Sequence, residues 1–416
     1  MVKRGDESGT VAVVLSGAAA RGAFQAGALA ELLPALERDG IRPQILLGTS
    51  AGAINAALWA AKCHLGADRA AEDLCELWRE MSHTNVFESL LPGSVGAGID
   101  FLAGAVLNRG RGTTSLLDTA PLHDTAVEKL DIGQITENIT SGHPTKLGVI
   151  ATRVPPADAD SPEGTASGRS VLFLHEKEVS DYPGKPERAL DVVRCPSAVE
   201  QVLASAAIPM AFPAQRVSEP PDAAGWYVDG GVRLNAPLGP AVELGATRII
   251  VISATSTVYG LPLPPDDCLE PPDLADSGAQ ALHAVLADRM VEDLLALQRT
   301  NRMIHQLARD SPSSVLLRKD GKTPYASVEF LTVSPPPGEM GRLAAKVYEQ
   351  KIAGAGALRE PDNWLLGRML RGAGDASGRR ELLSYLLFDE DYFALCIELG
   401  REQAARHVSA TREWNT

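Results

Sequence analysis

The stretch ILLGTSAGAINAALWAA occupies residues 45–61 and decides the fold of the chain around it. Its first residues are apolar and do not alternate with polar ones, which is typical of a strand buried on both faces of a sheet. After Gly48 the stretch turns into a helical pattern over residues 51–61. A second apolar run at 11–15 is followed by a Gly/Ala loop and a helical pattern over 23–37. Two strand–helix units with short connections predict an α/β fold with a parallel sheet covered on both faces.

Further buried strands are predicted at residues 147–151, 171–174, 226–228, 248–253 and 328–333. Beyond them the patterns are helical only. We therefore predict a three-layer sandwich over residues 1–336, built on a central, mostly parallel sheet. This core would include a proline-rich linker at 261–273 and a long helix at 277–308. A C-terminal helical region over 337–416 is expected to pack on the core.

One short helix is predicted from its N-terminal signal. Ser197 and Glu200 have the spacing of a capping box, in which each side chain accepts a hydrogen bond from the backbone of the other residue. This helix would end near Ala207, because Pro209 follows.

The composition is that of an acidic globular protein. Lys and Arg number 39 and Asp and Glu 53, so the net charge is −14, and aromatic residues make up only 5%. Such a surface repels phosphate backbones and offers few rings for base stacking, so no nucleic-acid partner is expected. The five scattered cysteines form no CxxC pair, which predicts a reducing, cytoplasmic compartment. No apolar run is long enough to cross a membrane, so membrane contact would be transient and peripheral.

The motif GTSAG at residues 48–52 is a GxSxG between a predicted strand and a predicted helix. A sharp turn in this context lifts the Ser50 hydroxyl out of the backbone, and Gly48 and Gly52 allow the turn to pack tightly. The helix N-terminus at Ala51 would present free N–H groups and the positive end of the helix dipole. The pattern indicates a nucleophilic serine, and the alternative is an N-capping serine in a glycine-rich turn.

The loop GAAARG at residues 17–22 follows the first strand and opens a helix. It is not a phosphate-binding Walker loop, because Ala23 and Phe24 stand where Lys and Ser or Thr are required. It is not GxGxxG either, because Ala19 replaces the middle glycine. Beside a nucleophilic serine, its backbone N–H groups could hold a tetrahedral oxyanion. An ordinary strand-to-helix turn is the alternative interpretation.

Asp229, Gly230 and Gly231 come directly after the predicted strand at 226–228. An aspartate at a strand end, followed by two conformationally free residues, projects its carboxylate over the edge of the sheet. A simple turn of the Asp-Gly type is the alternative.

In their order and spacing, these motifs resemble the patatin-like phospholipases, a family of serine lipid acyl hydrolases. The family pattern is a glycine-rich loop with Arg-Gly, then GxSxG, then a small-residue segment ending in Pro and Phe-Pro, then DGG with Asn and Pro downstream. In this sequence the elements are residues 17–22, 48–52, 204–213 and 229–231, with Asn235 and Pro237. The likeness covers about residues 11–253, together with the strand at 328–333. It departs from the family at Ala18 and Ala19, where glycines are usual.

The resemblance implies a Ser–Asp dyad that uses no histidine, metal or cofactor. Ser50 would attack the acyl carbonyl, and Asp229 would take the hydroxyl proton and return it to the leaving alcohol. A Ser-His-Asp triad stays open, because triad partners are neighbours in space and not in sequence. Its first candidates are His83, His123 and His175.

The resemblance also implies that backbone groups of Gly17, Ala18 and Ala19 hold the oxyanion. Arg21 would brace this loop or contact a lipid head group. The remaining residues expected to support the site are Gly22, Gly48, Gly52, Gly230, Gly231 and Asn235. Alanine keeps the N–H donor but does not readily adopt a positive φ. A patatin-like regulatory protein with weak catalysis is therefore one alternative.

The predicted function is phospholipase A-type hydrolysis of fatty acyl esters in lipid or phospholipid substrates. A soluble esterase, thioesterase or acyltransferase with the same dyad is the other alternative. Residues 89–108 carry a single charge, at Asp100, and would form either an apolar flap over the acyl pocket or a buried helix with a loop. Residues 364–371 would form either an interfacial amphipathic helix or a packed helix with a basic face.

Overall fold

The structure is a computed structural model that describes residues 9–82, 86, 120–155, 168–182, 184, 189–209, 212–257, 289–311, 325–352, 377–408 and 414. The strands are β1 (Val11–Leu15), β2 (Ile45–Thr49), β3 (Lys146–Arg153), β4 (Arg169–Glu176), β5 (Leu190–Arg194), β6 (Gln215–Val217), β7 (Gly225–Asp229), β8 (Arg248–Ile252) and β9 (Glu329–Val333). The helices are α1 (Gly22–Arg38), α2 (Ala51–Lys62), α3 (Ala67–Glu80), α4 (Ala120–Lys129), α5 (Ile132–Ser141), α6 (Val199–Ser205), α7 (Leu238–Glu243), α8 (Arg289–Asp310), α9 (Glu339–Val347), α10 (Ser377–Leu386) and α11 (Glu390–Ala405).

All these strands join one sheet with the order β5-β4-β3-β2-β1-β8-β9. The run from β3 through β2, β1 and β8 to β9 is parallel, whereas β4 is antiparallel to β3 and β5 is parallel to β4. The β6–β7 hairpin lies off this path and pairs antiparallel with β3 through β7. The predicted mostly parallel sheet is confirmed. The sequence patterns did not predict β5, which is mostly half-buried, or β6, which has only three residues.

Helices cover both faces of the sheet, as the three-layer prediction requires. Alternate residues of β1 point to opposite sides, so Val13 and Leu15 join one apolar core and Val14 joins the other. The first core includes buried residues of α1, α2, α3, α6 and α11, and the second includes residues of α7 and α8. Each strand in the middle of the sheet is therefore buried on both faces, which explains why its sequence does not alternate.

The register of β3 brings two strand ends together. One edge of β3 pairs with β4 along its whole length, so β2 and β7 must share the other edge. The last pair of β2 joins Thr49 to Ile150, and the last pair of β7 joins Asp229 to Ala151. Because the two strands run in opposite directions, their carboxyl ends meet between these neighbouring β3 residues. Ser50, which follows β2, therefore lies beside the end of β7.

Helix α11 packs closely on α1 through one glycine on each helix. A Cβ atom at Gly27 would lie 2.0 Å from the carbonyl oxygen of Ile397, and one at Gly400 would lie 2.1 Å from that of Phe24. Two helix backbones approach this closely only where neither carries a side chain at the contact. The C-terminal helix thereby contributes to the same core as the helices that flank β1 and β2.

The capping box predicted for Ser197 and Glu200 is wrong. The N-cap residue of α6 is Ala198, and its N–H donates to the side chain of Gln201 at 3.2 Å. Glu200 instead accepts a hydrogen bond from the N–H of Ser218 at 2.7 Å. Glu200 thus pairs with Ser218, which lies in another part of the fold, and not with the nearby Ser197.

Several predictions fall on residues outside the described ones. These are the linker at 261–273, the apolar segment at 89–108 and the amphipathic segment at 364–371. The long helix predicted for 277–308 is described from Arg289 to Asp310. None of the described helices is long and apolar enough to cross a membrane.

Replacing Gly400 with alanine should destabilise the protein, although alanine favours a helix over glycine by about 1 kcal/mol. The added methyl group would collide with the carbonyl oxygen of Phe24 and push α11 away from α1. Overpacking of this kind typically costs about 1–3 kcal/mol. We therefore expect a lower free energy of unfolding in urea.

Gly133→Ala is the matched control, because Gly133 also lies in a helix but its Cβ would meet only a side-chain oxygen of Asp131 at 3.4 Å. This variant should be as stable as the wild type or slightly more stable. A Gly400→Ala variant with unchanged stability would show that α11 does not approach α1 this closely.

Candidate active site

Ser50 occupies the sharp turn between β2 and α2. Its φ of 57° and ψ of −129° place it in a region that residues other than glycine rarely adopt, so its surroundings must hold it there. Its carbonyl begins the helix by accepting a hydrogen bond from the N–H of Ala53 at 2.9 Å. Its side chain makes no capping bond, and its hydroxyl instead interacts with the carboxylate of Asp229 and lowers the pKa of that carboxyl. The geometry therefore disfavours the alternative of an N-capping serine.

The two glycines of the GxSxG motif allow close backbone contacts around this turn. A Cβ at Gly48 would lie 2.3 Å from the carbonyl oxygen of Gly52. A Cβ at Gly52 would lie 2.5 Å from the carbonyl oxygen of Leu15, at the end of β1. A side chain at Gly48 would force β2 and α2 apart, and one at Gly52 would push α2 away from the end of β1.

Ser205, at the end of α6, holds the backbone of Ser50. Its hydroxyl accepts a hydrogen bond from the Ser50 N–H at 2.8 Å and donates one to the carbonyl oxygen of Ile150 at 2.5 Å. Two residues later, the carbonyl of Ala207 accepts the N–H of Asp229 at 2.7 Å. Sequence reasoning missed this role of Ser205, although the small-residue segment at 204–213 carried the signal.

Asp229 is a buried carboxylate, with 5% of the residue exposed. It accepts a hydrogen bond from the Gly231 N–H at 2.6 Å and also interacts with the Ser50 hydroxyl. Burial raises the pKa of Asp229 from 3.8 to about 6, and these two interactions offset part of that rise. The backbone after Asp229 packs directly against β3, because Gly230 has no side chain. A Cβ at Gly230 would lie 2.2 Å from the carbonyl oxygen of Ile150.

The loop predicted to hold an oxyanion runs beside Ser50. A Cβ at Gly17 would lie only 3.3 Å from the Cβ of Ser50. The N–H of Gly17 already donates to the side-chain oxygen of Asn235 at 2.9 Å and to its carbonyl oxygen at 3.2 Å. Within the described part of the chain, no acceptor pairs with the N–H groups of Ala18 or Ala19. Of the three predicted oxyanion donors, only the N–H groups of Ala18 and Ala19 therefore stay without an acceptor among the described residues. The N–H of Gly17 instead attaches the loop to Asn235.

Ala19 has a φ of 47°, in the left-handed region that favours glycine. The surrounding contacts thus force on an alanine the backbone conformation that a glycine would adopt easily. Alanine at this position keeps the N–H donor but carries strain that glycine would avoid.

Arg21 points into the protein and not towards a lipid. Its side chain is 1% exposed, and Nη2 lies 2.6 Å from a carboxylate oxygen of Glu381. The Nε atom donates to the hydroxyl of Ser384 at 2.9 Å, and the guanidinium lies over the ring of Tyr385, 3.7 Å from its centroid. These contacts favour the bracing role and leave no charge exposed for a head group. Behind this turn, a Cβ at Gly22 would lie 2.5 Å from the ring of Trp78.

An apolar pocket opens beside Ser50. The described residues that line it are Ala19, Ser50, Ala51, Ile54, Trp78, Met81, Val86, Leu122, Ala206, Ile208, Phe212 and Phe388. A neighbouring pocket shares Leu122, Ala206 and Phe212 and adds the polar residues His123 and Gln215. The described surface around Ser50 is therefore mainly apolar.

The candidate histidines do not join Ser50 in the described part of the chain. Nδ1 of His175 accepts the N–H of Ser197 at 3.1 Å, and burial lowers the pKa of this imidazole. His123 is 52% exposed and lies beside Asp124. His83 lies outside the described residues. No described histidine lines the pocket beside Ser50, and the described residues contain no cluster with metal-ligand geometry.

Asp229→Asn should make the protein more stable at about pH 8 and leave its stability unchanged at about pH 4. Because the folded state raises the pKa of Asp229 to about 6, the stability that its neutral form confers is complete below its unfolded pKa and is lost as pH rises through 6. Asparagine stays neutral, so the difference at high pH should be on the order of 2–3 kcal/mol. Urea unfolding of both proteins at pH 4 and pH 8 measures this difference in the free energy of unfolding.

Asp191→Asn is the control of opposite sign. Its hydrogen bond to Arg169 lowers the pKa of Asp191, so its charged form is the stabilising one above its unfolded pKa. That variant should lose a small amount of stability at pH 8, because the Arg169–Asp191 pair is largely exposed. Identical pH profiles for the wild type and Asp229→Asn would contradict the buried, protonation-favouring environment of Asp229.

Ala19→Gly should leave the stability unchanged or raise it by up to about 1.5 kcal/mol. Relief of the left-handed strain gains about 1–2 kcal/mol, and the greater freedom of glycine in the unfolded chain offsets about 0.5–1 kcal/mol. Ala20→Gly is the control, because Ala20 has no positive φ to relieve. That variant should therefore only lose stability, through the greater freedom of glycine in the unfolded chain. If both variants lost equal stability in thermal unfolding, Ala19 would not be strained.

Comparison with known proteins places these features in context. A sequence model of the family described as patatin-like phospholipase matches residues 13–242. Among solved structures, human GIVD cytosolic phospholipase A2 is similar at 12% identity and a TM-score of 0.43, covering 97% of this chain and 59% of that one. This chain thus spans about three fifths of the human protein's length.

Two bacterial proteins are also similar in structure. VipD from Legionella pneumophila shows 12% identity and a TM-score of 0.30, with 95% of this chain and 67% of that one covered. ExoU of the type III secretion system of Pseudomonas aeruginosa, solved in complex with SpcU, shows 15% identity and a TM-score of 0.25, with 90% and 76% covered. No curated protein matches the chain.

Proposed function

Because the chain belongs to the patatin-like phospholipase family, we propose that it is a serine hydrolase that cleaves fatty acyl esters of lipids in a phospholipase A-type reaction. Ser50 and Asp229 form its catalytic dyad in this proposal. The observation that carries it is the Ser50 hydroxyl, which interacts with the buried Asp229 carboxylate and also lines an apolar pocket.

In the first half of the reaction, Ser50 Oγ attacks the carbonyl carbon of the ester. Its proton passes to Asp229, whose raised pKa makes it a stronger base than an exposed carboxylate while leaving it charged near neutral pH. The tetrahedral oxyanion faces the N–H groups of Ala18 and Ala19 and the N-terminus of α2. Asp229 then returns the proton to the leaving alcohol, which departs and leaves an acyl-Ser50 ester.

In the second half, water attacks the acyl-Ser50 carbonyl and gives its proton to Asp229. Collapse of the second tetrahedral intermediate releases the fatty acid, and the proton returns from Asp229 to Ser50 Oγ. Asp229 thus accepts and returns every proton in the cycle, and the reaction requires neither a histidine nor a metal ion.

The pocket supports a long acyl chain as the favoured group. Apart from Ser50, its described lining consists of apolar and aromatic side chains, among them Ile54, Leu122 and Phe212. Each methylene that leaves water contributes about 0.8 kcal/mol, so chain length should raise affinity until the pocket is full. The proposal therefore favours fatty acyl esters over short water-soluble ones.

Ser50→Ala and Asp229→Asn should each abolish hydrolysis while the protein stays folded. Members of one catalytic unit do not act additively, so the double variant should be little worse than either single one. A lipid panel with mass-spectrometric identification of the released fatty acid measures this. Ser141→Ala, at an exposed helix position, is the control and should keep full activity.

The same assay has a distinct pH signature. Because Asp229 must be charged to act as the base, kcat/KM should rise through an apparent pKa of about 6 and level off above pH 7. An active Asp229→Asn variant, together with an inactive His175→Ala variant, would contradict the dyad. Loss of activity on a soluble ester after EDTA treatment would contradict the metal-free mechanism.

A further inference from the structure

We propose that helix α10 holds the oxyanion loop in its working geometry through Arg21, so that Glu381, Ser384 and Tyr385 are positioning residues for catalysis. We call these four residues the Arg21 clamp. The inference rests on the proposed function of Ser50 and Asp229. It adds to that function a contribution from α10, which lies outside residues 13–242, the part of the chain that the family model matches.

The clamp contacts the guanidinium at Nη2, at Nε and on one face of its plane. Nη2 of Arg21 forms the ion pair with Glu381 at 2.6 Å and also donates to the Glu381 carbonyl oxygen at 3.2 Å. Nε donates to Ser384, and the ring of Tyr385 covers one face. A buried charge is tolerated only with such partners, and the planar fork of arginine fixes their directions. Arg21 therefore has one preferred position relative to α10.

Other contacts hold α10 itself in place. The hydroxyl of Tyr385 lies 3.1 Å from the hydroxyl of Thr255, which follows β8. The carbonyl oxygen of Ser384 accepts a hydrogen bond from the hydroxyl of Tyr392 in α11, at 3.1 Å. The clamp is thus attached to the central sheet and to the helix that packs on α1.

A backbone hydrogen bond transmits this position to the proposed oxyanion donor. The N–H of Arg21 donates to the carbonyl oxygen of Ala18 at 3.0 Å. That carbonyl belongs to the same planar peptide unit as the N–H of Ala19, so the bond also sets the direction of this N–H. Ala19 meanwhile holds a strained φ of 47°, a conformation that persists only where neighbouring contacts impose it. The Arg21 clamp supplies such contacts.

The chain just after α10 also reaches the site. Phe388 lines the apolar pocket beside Ser50. The same C-terminal segment thus contacts the proposed acyl pocket and, through Arg21, the proposed oxyanion donors. Its sequence separation from Ser50 explains why no motif in the first half of the chain indicates it.

The test compares Glu381→Gln and Tyr385→Leu with the wild type in the full-length protein. In each variant we expect kcat to fall about 10- to 100-fold, less than the roughly 10²–10³-fold loss from deleting one oxyanion donor. KM should stay within about twofold, because no clamp residue is among the described residues that line the apolar pocket. The inhibition constant of a long-chain trifluoromethyl ketone, which forms a tetrahedral oxyanion on serine, should rise by the same factor as kcat falls.

Two further variants control for unrelated effects. Glu339→Gln removes an ion pair to Arg342 elsewhere on the protein, and the two glutamates have nearly equal exposure, 25% for Glu339 and 24% for Glu381. It should change neither kcat nor the inhibition constant. Tyr385→Phe keeps the ring over Arg21 and should retain most of the activity that Tyr385→Leu loses. If Tyr385→Leu does not fold, Glu381→Gln at its partly exposed position decides the question.

Amide hydrogen exchange of residues 16–24 tests the clamp without any assay of activity. Exchange should be faster in Glu381→Gln and Tyr385→Leu and unchanged in Glu339→Gln. Unchanged exchange would overturn the inference, and so would a kcat that falls with the fraction of folded protein while the inhibition constant stays constant. A wild type that neither hydrolyses lipid esters nor binds the ketone would refute the proposed function instead, and the exchange data would still decide whether α10 orders the loop.

Discussion

The site depends on one constraint, the meeting of β2 and β7 end to end along a single edge of β3. Because β2 stops at Thr49 and β7 stops at Asp229, two adjacent residues of β3 bring the ends together. The gap leaves the carbonyl of Ile150 free to accept the hydroxyl of Ser205, which in turn holds the Ser50 N–H. A shift of one residue in either register would turn the side chain at that strand end to the opposite face of the sheet.

Several groups at this junction are held in states that they would not adopt alone. Ser50 and Ala19 have positive φ angles, and Asp229 keeps a carboxylate away from water. Each of these states is unfavourable by itself and persists because the fixed backbone around it leaves no alternative. The hydrogen bonds from Gly17 to Asn235 and from Asp229 to Ala207 belong to this frame. This frame therefore produces a carboxyl group with a raised pKa at Asp229, next to a loop in which the N–H groups of Ala18 and Ala19 pair with no acceptor among the described residues.

The C-terminal helices are connected to the same junction. Helix α11 lies against α1 through paired glycines, and α1 begins directly after Arg21. Helix α10 contributes the partners of Arg21, and Phe388 then enters the pocket wall. The chain that follows β9 therefore takes part in the geometry around Ser50, although the family pattern ends much earlier in the sequence.

The sequence by itself determined the features that arise from neighbouring residues. Apolar runs without alternation specified a parallel sheet, and GxSxG and DGG specified two turns, because backbone conformation follows from local residue types. The resemblance to a family added the pairing of Ser50 with Asp229. Only the tertiary structure decided which distant groups each side chain meets: Ser205 with Ser50, Asn235 with Gly17, and Arg21 with α10. The capping box of Ser197 failed for the same reason, since packing and register, which no local pattern encodes, supplied Glu200 with another partner.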